Sequence, residues 1–226
     1  MKPIIPDLLY TFTGLMVGRV YAIKDPDGIT IIDTSISIAG KRILKQLAGV
    51  GFSEKDVKRI IITHAHPDHV GGLPYLYAQT GAQVISSATE KPVIQGETPV
   101  PRRPSGLRPP NTQYKFVPVS RTVEDGEILA DVMGGLQALH TGGHAPGHVA
   151  FWQPEREILF CGDVIFRMRG KMTLPWAMLT VDMEQNKESV KKLATLTPKI
   201  LCFGHGEPII ENATQKLRDF ASSVAG

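Results

Sequence analysis

Apolar residues fall in short runs separated by glycine, proline and polar turns, and the period within those runs changes along the chain. Residues 20–23 and 29–32 are two such runs flanking Asp25-Pro26-Asp27-Gly28. Proline second and glycine fourth mark a type I turn, so a hairpin is expected there. Over residues 39–48 the spacing becomes helical: Ile43, Leu44 and Leu47 share one face and Gly49 follows. Residues 57–63 read as a buried strand, 73–79 as a helix and 83–86 as a short strand. Residues 96–111 carry Pro99, Pro101, Pro104, Pro109 and Pro110 and read as a loop. Strands recur at 114–119, 136–139, 149–152, 158–161 and 199–203. Asp182, with Gln185 three residues on, predicts the start of a helix reaching about residue 196, and 213–224 is a last helix. Hairpins mixed with strand–helix units predict an α/β sheet with helices outside it.

Length adds one constraint: 226 residues fit one sizeable domain, 1–226. Apolar content of 42% and charged content of 21% are ordinary for a globular chain. The net charge of +3 makes no case for nucleic-acid binding. No run approaches the ~18–20 apolar residues needed to span a bilayer. The first residues, Met1-Lys2-Pro3-Ile4-Ile5-Pro6-Asp7, hold no uninterrupted apolar leader, so a cytoplasmic protein is expected. The two cysteines, Cys161 and Cys202, sit in strand-like apolar runs and read as buried free thiols.

The candidate chemistry is concentrated. The chain has seven histidines, and three of them, with a carboxylate, fall in Thr63-His64-Ala65-His66-Pro67-Asp68-His69. Imidazole is the commonest side-chain ligand for zinc, and an added carboxylate suits a hydrolytic or dinuclear site. The cluster follows a strand, where α/β proteins place their chemistry. His140, His144, His148 and His205 lie near or beside glycines. Glycine lets backbone approach a metal closely, and Gly71, Gly72, Gly142, Gly143, Gly162, Gly204 and Gly206 flank the motifs.

His64-x-His66-x-Asp68-His69 resembles the signature of the metallo-β-lactamase superfamily, and the rest of that family's pattern follows in order. Asp33 resembles its early buried supporting aspartate, His144 its third-motif histidine, Asp163 its bridging carboxylate and His205 its last ligand. The resemblance implies a four-layer αββα sandwich, two sheets face to face with helices on both outer sides. It implies a first metal held by His64, His66 and His144, a second held by Asp68, His69 and His205, and Asp163 between them. Two divalent ions are implied; zinc suits the nitrogen-rich set, and iron, manganese or cobalt fit the same ligands. The expected activity is hydrolysis of a small ester, lactone or thioester through a metal-bridging hydroxide. Asp68 is the candidate to pass a proton to the leaving group, and His148 the candidate to orient a ligand.

Departures narrow the reaction. His66 stands where diiron flavoproteins typically carry glutamate, and no Gly-Arg-Thr-Asp run follows Asp163 as in glyoxalase II and persulfide dioxygenases. Phe166 occupies the place of a lactonase tyrosine, Gly142 that of a proline and Ser35 that of a glycine. The rival readings are a mononuclear iron persulfide dioxygenase and a phosphotriesterase or phosphodiesterase. The phosphoester reading is favoured if Arg167 and Arg169 face the cleft. Arg102, Arg103 and Arg108 read as a solvated loop face, and His140 as structural. Met168, Met172, Leu174, Trp176 and Met178 offer an apolar wall for an acyl or aromatic substrate, or plain core. A small-molecule substrate is the expected partner, and the chain is expected to be a monomer or homodimer.

Overall fold

The computed structural model describes residues 1–11, 17–101 and 114–224. Its first sheet runs in chain order: β1 (Lys2–Ile5), β2 (Leu8–Tyr10), β3 (Tyr21–Asp25), β4 (Gly28–Ile32), β5 (Val57–Ile61), β6 (Gln83–Ser87) and β7 (Arg121–Val123). β1 to β4 pair antiparallel, and β4 to β7 pair parallel. The second sheet holds β8 (Ile128–Leu129), β9 (Leu136–His140), β10 (Val149–Gln153) and β11 (Ile158–Phe160), all antiparallel. A small separate hairpin follows, β12 (Phe166–Met168) and β13 (Lys171–Thr173), and then β14 (Ile200–Cys202) pairs parallel with β11. Parallel neighbours need crossovers. α1 (Ala39–Ala48) links β4 to β5, and α2 (Pro67–Val70) with α3 (Leu73–Thr80) links β5 to β6. α4 (Lys91–Ile94) follows β6, α5 (Met183–Ala194) precedes β14, and α6 (Ala213–Val224) ends the described chain.

The period-two alternation of each strand explains the layering. In β5, Ile60 joins one apolar cluster with Ile43, Leu47 and Leu76 of the helices, while Ile61 faces the other sheet. In β10, Val149 and Phe151 meet Ile61 and Ile85 between the sheets, while Ala150 and Trp152 pack with Val190, Leu193 and Leu217 of α5 and α6. Three cores therefore separate four layers, helix–sheet–sheet–helix, which is the αββα sandwich implied by the resemblance. Strands buried on both faces read as continuous apolar runs, as Ile60-Ile61-Ile62 does.

The local reading holds at several points. The 20–32 hairpin forms, pairing Asp25 with Gly28. α1 and α6 occupy the expected residues, and α3 runs one residue longer than expected. The Asp182 side chain accepts from the Gln185 N–H at 2.9 Å and caps α5. Cys161 and Cys202 are buried and free.

Residues 114–119 are a correction. They form no strand; the ladder begins at Arg121. Val117 and Val119 do bury against the helices, which accounts for the apolar alternation, but the Val119 N–H donates to the Gln95 side chain at 3.0 Å. Most of the proline-rich loop, with Arg102, Arg103 and Arg108, lies outside the described residues. Among the described residues no helix is long and apolar enough to cross a membrane.

Candidate metal centre

The side chains that resemble ligands all come from loops at the C-terminal ends of strands. Asp33 follows β4, His64 to His69 follow β5, Asp163 follows β11 and His205 follows β14. That is the crevice where open α/β sheets bind ligands. His144 and His148 enter from the turn between β9 and β10.

These loops bring seven predicted groups together. His64 Nε2 and His66 Nδ1 are 3.0 Å apart, and His144 Nε2 lies 2.9 Å from the same His66 nitrogen. Asp163 Oδ2 lies 3.3 Å from His144 Nε2, 3.3 Å from His205 Nε2 and 3.8 Å from His64 Nε2. Its other oxygen, Oδ1, is 3.4 Å from His69 Nε2. Asp68 Oδ2 is 3.1 Å from His205 Nε2 and 3.9 Å from His69 Nε2. Three triads thus have ligand atoms within 4.8 Å of one another: His64–His66–His144, His64–His69–Asp163 and Asp68–His69–His205. Asp163 reaches both ends with its two oxygens.

Hydrogen bonds behind the rings decide which nitrogen faces inward. Asp33 Oδ1 accepts from the Thr63 N–H at 2.9 Å, and Oδ2 accepts from the Thr63 hydroxyl at 2.8 Å. With its proton committed, that hydroxyl accepts from His64 Nδ1–H at 3.0 Å. Asp33 Oδ2 also takes His69 Nδ1–H at 2.8 Å. The Thr180 hydroxyl donates to the Trp176 carbonyl and accepts from His144 Nδ1–H at 3.2 Å. His64 and His144 are thereby left with bare Nε2 lone pairs aimed into the cluster, the pattern that metal-binding histidines share. His69 Nε2 points the same way; burial works to lower that ring, but the Asp163, Asp33 and Asp68 carboxylates override it and raise it well above the ordinary range, so a metal would take the place of its Nε2 proton. Asp33 is 2% exposed and adopts φ 59°, a left-handed conformation that aspartate tolerates better than most residues.

The electrostatics favour positive charge at the centre. Burial pushes the His64 and His66 imidazoles well below the ordinary range, helped by their neighbouring histidines. Burial works to raise Asp163, but the His205 and His69 imidazoles outweigh it and hold the carboxyl well below the usual range. Burial also opposes the charge on Asp68, yet His69 and His205 bring it down to about 2. Burial works to lower His205, and Asp163 overrides it, with hydrogen bonds to both carboxylates, so the ring is pushed up to about 9. Among the described residues, His69 Nε2 and Asp163 Oδ1 are buried and make no hydrogen bond. A buried polar atom without a partner is costly, and two facing each other at 3.4 Å fit a shared cation. The donors, imidazole nitrogens and carboxylate oxygens, suit a divalent metal such as zinc.

His148 lies behind this cluster. Its Nε2 accepts the Asp163 backbone N–H at 3.0 Å, and its Nδ1–H donates to the Thr141 hydroxyl at 2.8 Å. Burial first, then His144, pushes it down to about 3. Both nitrogens are committed, so His148 positions the Asp163 loop and has no proton to exchange with a substrate. His140 is exposed, and its carbonyl accepts from Lys192.

The segment after Asp163 divides. Phe166 packs its ring 4.5 Å from His205 and 6.0 Å from His144, and Trp176 lies edge-on 6.4 Å from Phe166. Trp176 and Met178 are exposed, while Met172 and Leu174 pack into the α5–α6 core. Arg167 sends Nη1 to the Glu207 and Pro208 carbonyls, 2.9 Å each. With Lys171 it lines an open cleft of about 400 Å³ against α6, and none of the clustered ligands borders that cleft.

Three supporting residues escaped the sequence reading: Thr180, Tyr114 and Glu90. Glu90 is 2% exposed and accepts from the Ala65 N–H and the Gly147 N–H at 2.8 Å each. A lone carboxylate in Thr89-Glu90-Lys91 carries no local signal.

The Metallo-beta-lactamase superfamily profile matches residues 13–205, and the chain belongs to that superfamily. It is 26% identical over 194 residues to the probable metallo-hydrolase YybB of Bacillus subtilis, covering 86% of this chain and 83% of that protein. It is 32% identical over 154 residues to the hydroxyacylglutathione hydrolase GloC of Haemophilus influenzae, covering 67% and 69%. BJP-1, a subclass B3 metallo-beta-lactamase of Bradyrhizobium japonicum, superposes with a TM-score of 0.75 over 99% of this chain and 90% of its own, at 24% identity, which shows the shared fold. The chain is a metal-dependent hydrolase of this superfamily.

Proposed function

We propose that the chain hydrolyses a small carboxylic ester, lactone or thioester at a dinuclear divalent-metal centre. The observation that carries this reading is the paired orphan atoms, His69 Nε2 and Asp163 Oδ1, inside a cluster of bare imidazole lone pairs. His64, His66 and His144 would hold one ion, Asp68, His69 and His205 the other, and Asp163 both. When bound, two such ions lower the pKa of a shared water towards ~7 and polarise a carbonyl. The protein supplies the rest. Asp33, Thr63 and Thr180 fix the histidine tautomers, and His148 fixes the Asp163 backbone. Asp68 is about one-third exposed at its side chain, which suits a carboxylate that receives a proton and hands it to a leaving group. Phe166 and Trp176 give the acyl portion an apolar wall.

Two observations favour carbonyl over phosphoryl substrates. The Arg167 guanidinium is tied to main-chain carbonyls, so it does not offer an anion clamp at the metals. GloC, whose name is hydroxyacylglutathione hydrolase, favours the acyl-thiol members of the class. The test is to supply zinc, manganese or cobalt to chelator-treated protein and compare turnover of matched thioester, ester, lactone and phosphodiester substrates. Turnover of a carbonyl substrate, abolished in Asp163→Ala, is the expected result. Turnover of the phosphodiester alone, or full activity in Asp163→Ala, overturns the proposal.

A further inference from the structure

We infer that Glu90 is a positioning residue that clamps together the two loops bearing the first-site ligands, and so sets the affinity of that site. The inference rests on the metal-centre reading above and deepens it. Glu90 Oε2 accepts the N–H of Ala65, the residue between His64 and His66. Its Oε1 accepts the N–H of Gly147, on the turn that carries His144. One side chain thus joins loops 25 and 57 residues away, both at 2.8 Å.

The same two residues are also held through their carbonyls. Tyr114 donates its hydroxyl to the Ala65 carbonyl at 2.8 Å. Ser87 donates its hydroxyl to the Gly147 carbonyl at 2.6 Å and accepts the Glu90 N–H at 3.2 Å. The corner leaves no slack: a Cβ on Gly147 would lie 2.6 Å from Ser87 Oγ and 2.9 Å from Glu90 Cγ. His66 gains most from this. It turns Nδ1 inward, and among the described residues no side chain is hydrogen-bonded to its Nε2. Its placement relative to His144 therefore depends on the backbone that Glu90 holds.

The choice of a carboxylate has a physical reason. Burying an anion is costly unless its hydrogen bonds are complete. Both loops present N–H donors, so the linking group must accept at each end. Glutamine has one accepting oxygen, and its NH₂ would meet the second N–H head-on. The interaction therefore needs a carboxylate, although no bond to a metal is involved.

The experiment is a site-resolved metal titration of chelator-treated wild type, Glu90→Gln and Ser87→Ala. Cobalt absorption follows each site, chelator competition gives affinities, and the metal-free melting temperature is recorded beside them. Loss of partners behind metal ligands typically weakens binding 10–100-fold. Glu90→Gln is expected to lose about that much at the three-histidine site and clearly less at the other. Ser87→Ala, which frees the Gly147 carbonyl and the Glu90 N–H but leaves the carboxylate on both loops, is expected to fall between it and wild type. Equal affinities in wild type and Glu90→Gln overturn the inference. So does equal weakening of both sites in proportion to a lower metal-free melting temperature, since that is loss of stability alone. If Glu90→Gln does not fold, Ser87→Ala decides by the same criteria. A wild type that binds no metal overturns the metal-centre reading itself.

Discussion

Gly204→Ala is a sharp probe because it places one methyl group against one carboxylate. A Cβ built on Gly204 lies 1.9 Å from Asp163 Oδ1, 3.0 Å from His69 Cε1 and 3.1 Å from Asp163 Cγ. An ordinary C···O contact is about 3.3 Å, so Oδ1 would have to retreat by about 1.4 Å. Metal–ligand distances tolerate only about 0.2 Å. Asp163 has little freedom to retreat, because its N–H is held by His148 and its Oδ2 lies among His144 and His205. The Gly204 backbone is pinned too: its N–H donates to the Gly162 carbonyl at 2.8 Å and its carbonyl accepts the Arg19 N–H at 2.7 Å. Gly204 is not among the glycines with positive φ, so alanine meets no backbone penalty and the clash alone acts. Metal affinity should fall by at least about 100-fold, which is about 2.8 kcal/mol. Overpacking should lower stability by about 1–3 kcal/mol. Chelator competition measures the first and thermal melting the second. Gly49→Ala is the control, since its Cβ would meet nothing closer than 3.5 Å. Two ions bound with wild-type affinity in Gly204→Ala would refute the placement of Asp163 between the metals.

Asp33→Ala removes the acceptor for Thr63 and His69 and leaves alanine at φ 59°; metal affinity should drop at least about tenfold and the melting temperature should fall. Arg59 is buried, donating to Asp27 at 2.7 Å and to Asp131 at 2.8 Å, neither of which belongs to the cluster. Its two partners are about half exposed and stay hydrated, so Arg59→Met should cost about 1–3 kcal/mol in chemical denaturation while metal content stays unchanged. In the metal-free chain His205 is raised from an ordinary 6.5 to about 9, so its protonation contributes stability below about pH 6.5 that is lost as pH rises through about 9. Melting curves of chelator-treated protein should therefore decline across that window, while metal-loaded protein, whose His205 carries no proton to lose, should not show the decline.

Most of the candidate centre was legible because its information is local. His64, His66, Asp68 and His69 lie within one loop, and short glycine-bearing motifs around His144, Asp163 and His205, in the order the resemblance implies, mark the rest. What holds the centre was harder to read, because it acts across the chain. Glu90 meets partners 25 and 57 residues away, and Thr180 reaches His144 from 36. The fold shows the same division. Strands buried on both faces announced themselves by long apolar runs, whereas β2 and β7 have three residues each, too few to show a period. The β12–β13 hairpin, Phe-Arg-Met and Lys-Met-Thr around Arg169-Gly170, has strands of three residues and shows no period either. Residues 114–119 misled because their apolar side chains do bury, while their backbone takes a glutamine side chain in place of a neighbouring strand. Arg167 is expected near the pocket from its place soon after Asp163, but two carbonyls after His205 claim it.

Metal content separates a dinuclear hydrolase from its rivals most directly. Freshly purified protein should carry about two divalent ions per chain, mainly zinc or manganese, by elemental analysis. Chelation should remove carbonyl-ester or thioester turnover, and restoring the ions should restore it. A single iron per chain accompanied by oxygen consumption on a persulfide would contradict the dinuclear hydrolase.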